Sequence, residues 1–108
     1  MPENMPLPED ITPPEDCQTM ADVRAGVDAL DRQIVDLLAV RFGYMRAAAR
    51  IKPDRGQVRD EARKARVVAQ ASARAAALGL PEAAVTDIWD RLVEASIAYE
   101  LDHWDAKP

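Results

Sequence analysis

Apolar residues recur at steps of three and four through Met20, Val23, Val27, Leu30, Ile34, Leu37, Leu38, Met45 and Ala48. That is helical spacing, not the alternation of a strand. No proline interrupts the run from Thr19, and Pro53 ends it. Thr19 and Asp22 have the spacing of a capping box, with Asp in the usual Glu place. A first helix over about 20–52 is expected, roughly 50 Å long at ~1.5 Å per residue. A second pattern, rich in Ala and Arg, runs from about Val58 to Leu78 and stops at Gly79, a left-handed C-cap. Pro81 suits a first helical position. A third line of Val85, Ile88, Trp89, Leu92, Val93, Ile97, Leu101 and Trp104 follows, with Ser96 and Glu100 set into it. There is no internal repeat and no hairpin signal. The expected fold class is all-α, with three helices and a long first one.

Length constrains the arrangement. The chain has 108 residues, enough for one small domain. A rod of about 50 Å exceeds the roughly 25–30 Å diameter of a compact domain this size, so two shorter helices cannot cover its whole apolar stripe. An intertwined homodimer is the simplest remedy. The alternative is a monomer whose first helix breaks near Gly43.

Charge and composition divide the chain. Residues 1–16 hold Glu3, Glu9, Asp10, Glu15 and Asp16, no Lys or Arg, and five of the eight prolines. This Pro-rich acidic segment is expected to be an extended arm, either a solvated leader or a binding arm, ahead of a helical domain over 17–108. Beyond it acids and bases are equal, so the arm holds the whole net charge of -5. An acidic chain argues against nucleic-acid or anionic-membrane partners. Cys17 is the single cysteine, which rules out a disulfide within the chain and a thiol-rich metal site. No segment has the ~20 apolar residues of a membrane span. The opening MPENMPLPED lacks the basic start and apolar run of a signal peptide, so a cytoplasmic location is expected.

The candidate chemistry lies in polar residues placed on apolar stripes. At ~100° per residue, with Arg24 as origin, the first helix's stripe centres near 270°. Arg41 falls at about 260° and Lys52 at about 280°, in the middle of that stripe. A lone cation buried there is costly unless an anion pairs with it. Ser96 and Glu100 share a face of the third helix, and Asp60 and Arg63 share one on the second. Two outcomes fit equally: internal ion pairs of Arg41 and Lys52 with Glu100 and Asp60, or a site for one small dianion between the two cations. Arg24 lies roughly 25 Å before Arg41 along the axis and serves any site only in a second copy.

These residues carry a resemblance. Over about residues 13–104 the chain resembles the helical (type II) chorismate mutase family, including its relative isochorismate-pyruvate lyase. Pro14-Glu15-Asp16-Cys17 is similar to the lyase-like branch. The family pattern runs through Arg24 in VRAGVDALD, Arg41 in LLAVRFGYM, Lys52 in ARIKPD, Asp60 and Arg63 in VRDEAR, and Ser96 and Glu100 in EASIAYE. The resemblance implies an all-α homodimer with two active sites, each receiving Arg24 from the other copy. It also implies the Claisen rearrangement of chorismate to prephenate, in the shikimate pathway toward aromatic amino acids. That reaction is pericyclic and requires no nucleophile, metal or cofactor. On this analogy Arg41 and Arg24 bind carboxylate, and Arg63 with Ser96 holds the other carboxylate. Asp60 faces the ring hydroxyl region, while Lys52 and Glu100 approach the ether oxygen.

Two positions depart from the familiar pattern. Glu100 stands where many members have Gln, and an ionised Glu cannot donate a hydrogen bond to the ether oxygen. Glu100 is therefore expected to work protonated, with a rate that falls as pH rises. Lys64 stands where a Glu often helps bind the hydroxyl. The alternatives to a mutase are isochorismate-pyruvate lyase activity and a non-catalytic, metabolite-binding helical dimer. His103, Trp89, Trp104, Arg46, Arg50, Arg66 and Arg74 are expected at surfaces, caps or packing positions. Cys17 is expected to be a small residue at the helix entrance.

Overall fold

Thr19 and Asp22 exchange the reciprocal hydrogen bonds that their spacing predicts. The Asp22 N–H donates to Thr19 Oγ1 at 3.1 Å, and Asp22 Oδ2 accepts from the backbone N–H groups of Gln18 and Thr19 at 3.1 and 3.3 Å. The helix they start, α1 (Met20–Ile51), is the longest element of the computed structural model, which describes residues 11–108. It is followed by α2 (Glu61–Ala77) and α3 (Glu82–Asp105), with single 3-10 turns at Pro14–Asp16 and Arg55–Gln57. Among the described residues there is no strand, and no helix is long and apolar enough to cross a membrane. Residues 1–10 of the expected arm lie outside the described residues. α1 is helical through Gly43, so the alternative of a break there does not occur.

Two compact units are present, residues 1–41 and residues 42–108. In the first, the turn Pro14–Asp16 leads into the start of α1, and Cys17 Sγ donates to Pro13 O at 3.5 Å. A groove of about 190 Å³ runs beside it, walled by Ile11, Pro14, Val23, Val27 and Leu30. Val27, Ile34 and Leu37, on the stripe that the periodicity marks for burial, are 50, 53 and 68% exposed.

The second unit holds the core. Val58, Val93 and Ile97 are buried together, with Val67, Val68, Leu101 and Trp104 packed against them. Full burial of such side chains stabilises by roughly 1.5–3 kcal/mol each. Val58 was expected inside the second helix, but it lies just past the 3-10 turn, ahead of the helix. The helix starts later, at Glu61, because Asp60 Oδ1 accepts the Arg63 N–H at 3.0 Å and so caps it. α2 ends as predicted. Gly79 has φ +71°, and the Leu80 and Gly79 N–H groups return to Ala75 O and Ala76 O at 2.9 and 3.1 Å, a Schellman closure. Pro81 is the N-cap of α3 and not its first helical residue.

Carboxylates on α3 fasten the segment before α2. Arg59 gives two hydrogen bonds to Glu94 at 2.8 and 3.1 Å and a third to Glu61 at 2.8 Å. Lys64 bridges Glu94 at 2.8 Å and Asp90 at 3.1 Å. Hydrogen bonds from Arg59 and then Lys64 hold the Glu94 carboxyl down at about 2. Folding lowers this value from 4.5, so the network stabilises fully above about pH 4.5 and loses that contribution as pH falls toward 2. Glu94→Gln is expected to flatten this part of the acid unfolding curve, read by circular dichroism between about pH 5 and 2. Superimposable curves for the two proteins would refute the assignment.

Candidate active site

Lys52 follows the last residue of α1, and its N–H still bonds back to Ala48 O at 2.9 Å. Pro53 prevents another turn, since it lacks an N–H. The Lys52 side chain turns toward α3, where Nζ lies 2.8 Å from Glu100 Oε2. The carboxylate is 5% exposed and the lysine side chain 30%. The contact is an ion pair by distance, yet no donor meets Oε2 with hydrogen-bond alignment among the described residues. A buried carboxylate oxygen in that state can still accept from, or share a proton with, an incoming group.

Ser96 lies one turn before Glu100 on the same face of α3 and is likewise buried. Its hydroxyl donates to Leu92 O at 2.7 Å. This back-bond satisfies the hydroxyl's proton inside the helix. Lys52 also lines an open hollow of about 640 Å³, together with Ile51, Gln57, Arg59, Asp60 and Glu61. The structure thus brings Lys52 to Glu100 on one side and to the Asp60 hollow on the other. Asp60 and Arg63 are exposed, and the Asp60 side chain is engaged in capping α2.

Arg24 and Arg41 belong to the first unit. Arg24 is exposed near the start of α1, and Arg41 is partly buried. The bonding of Lys64 to Glu94 and Asp90 turns it toward α3. Arg46, expected on a solvated face, is exposed but donates to Tyr99 Oη at 2.6 Å. Tyr99 in turn packs edge-on against Phe42 at 4.8 Å and tilts over His103 at 4.4 Å.

Sequence reasoning missed Trp104 and Lys107 at this site. The indole Nε1 donates to Lys52 O at 3.0 Å, and Lys107 Nζ donates to both Ala49 O and Lys52 O at 2.9 Å. One signal was available: Trp104 follows Glu100 by four residues and so shares its face.

The family model described as chorismate mutase type II matches residues 23–101. The chain is 30% identical over 91 residues to a protein of Pseudomonas aeruginosa named isochorismate pyruvate lyase, covering 84% of this chain and 90% of that protein.

The dual position of Asp60 is testable. Asp60→Ala is expected to cost about 1 kcal/mol in urea unfolding, and Asp60→Asn, which still caps, only a few tenths. Equal losses from both would mean that charge, not the cap, is what stabilises.

Proposed function

Because this chain belongs to the type II chorismate mutase family, we propose that it is a pericyclic enzyme that rearranges chorismate to prephenate. The observation that carries this reading is the Lys52 ammonium set 2.8 Å from a buried Glu100 carboxylate, beside a buried Ser96. A Claisen rearrangement needs a folded substrate and charge stabilisation at the breaking ether oxygen, and nothing more from the protein. Lys52 donates to that oxygen, and Glu100 stands beside it, holding the ammonium in place. Asp60 faces the ring hydroxyl, and Arg63 with Ser96 takes one carboxylate. Arg41 and the Arg24 of a second copy bind carboxylate. The roles of the arginines rest on the family motifs.

The homodimer belongs to the same proposal. Exposure of Val27, Ile34 and Leu37 along one face of α1 supports it, since a contiguous apolar stripe is a usual mark of an interface. A second reading, isochorismate-pyruvate lyase activity, is favoured by the name of the Pseudomonas aeruginosa relative and by the Pro14-Glu15-Asp16-Cys17 opening. Both readings use the same class of small dicarboxylate.

The deciding experiment offers chorismate and isochorismate separately to the purified protein and identifies prephenate, pyruvate or salicylate. Prephenate from chorismate is expected, with a loss of roughly a hundred- to a thousand-fold in Lys52→Ala. Turnover of neither acid would instead support a non-catalytic binding dimer.

Sharing of Arg24 between copies has its own test. Arg24→Ala and Lys52→Ala proteins, each inactive alone, are expected to regain roughly a quarter of wild-type activity after mixing and subunit exchange. One site in each mixed dimer is then intact. No recovery, with exchange verified by mass spectrometry, would exclude sharing.

A further inference from the structure

The end of α1 presents an acceptor problem that local sequence cannot solve. In a continuing helix, Ala49 O would receive the N–H of residue 53. Residue 53 is proline and has none. Ala49 is 1% exposed, so water is a poor substitute. The missing donor arrives from the other end of the domain: Lys107 Nζ lies 2.9 Å from Ala49 O. The same ammonium lies 2.9 Å from Lys52 O, and Trp104 Nε1 reaches that carbonyl at 3.0 Å. Lys107 also sits over the Trp104 ring, 4.8 Å from its centroid, so the two donors hold each other in place. A cation here also complements the negative end of the helix dipole.

The geometry points to a positioning role. Glu100 and Trp104 are one turn apart on α3, and both take hold of Lys52, the first by its ammonium and the second by its carbonyl. A lysine side chain is a flexible stem of four carbons, and its Nζ is only as well placed as the peptide it springs from. We propose that Trp104 and Lys107 are positioning residues for the proposed reaction, a clamp on the Lys52 peptide that aims its ammonium at Glu100 and the reacting oxygen. This rests on the reading of Lys52 given above. The clamp itself is a matter of geometry and has a readout independent of turnover.

The test uses three full-length variants. Trp104→Phe keeps the ring and loses the donor, Lys107→Met keeps the stem and loses the charge, and Lys107→Arg keeps a cation. Trp104→Phe and Lys107→Met are expected to lose roughly ten-fold in kcat, with KM within about two-fold, and Lys107→Arg to retain most of the rate. In ammonium-selective 15N spectra, the Lys52 Nζ signal is expected in the wild type and in Lys107→Arg, and broadened in the other two. A lower Tm with unchanged kcat and an unchanged Lys52 signal would reduce the pair to a structural cap and overturn the proposal. If the wild type turns over neither acid, the functional reading fails, and the spectra alone decide. Broadening in Trp104→Phe and Lys107→Met then upholds the clamp, and unaltered spectra overturn it.

Discussion

A carboxylate placed on the buried face of a helix demands a cation, and much of the second unit is arranged around that demand. Glu100 is 4% exposed on α3. An unpaired ion there would cost several kcal/mol. Lys52 answers it from the end of α1, which requires α1 to stop at that point with its last carbonyls turned toward α3. Pro53 makes the stop, and Trp104 and Lys107 take up the carbonyls that the stop exposes. The ion pair, the helix end and the C-terminal residues form one connected polar structure. Among its described members, Glu100 Oε2 is the loosely matched atom, next to the Lys52 ammonium.

The apolar side of the structure is slighter. Among the described residues the buried hydrophobic ones are Ala29, Ala49, Val58, Ala75, Val93 and Ile97, mostly small side chains. Surface ion pairs such as Arg55 with Asp105, both about half exposed, add little to stability because water and salt screen them. Such pairs fix the path of the segment between α1 and α2 more than they strengthen the fold. The homodimer proposed above would bury part of the apolar surface that Val27, Ile34 and Leu37 expose along α1.

Most local signals were legible. The capping pair Thr19 and Asp22, the stop at Pro53 and the left-handed Gly79 each depend on neighbours within a few residues, and each stands in the structure as its spacing implies. The start of α2 was misread because Val58 fits a helical period but is buried ahead of the helix, and the Asp60 side chain sets a later start. Lys52 and Glu100 were legible as misfits, a cation and an anion on stripes that should be apolar. Arg46 was not, since a guanidinium on an exposed face gives no hint of the Tyr99 hydroxyl it meets.

Periodicity and punctuation in the sequence therefore determined three helices, both ends of α1, the end of α2 and the residues that burial would trouble. Those properties arise from backbone geometry within a turn or two. Which misfit answers which was decided by tertiary structure alone. Lys52 meets Glu100, and Trp104 and Lys107 meet the end of α1, across about fifty residues of chain. Pairings at that separation exist only once α3 has packed beside the end of α1, because distance in space, not spacing along the chain, sets the strength of an electrostatic contact.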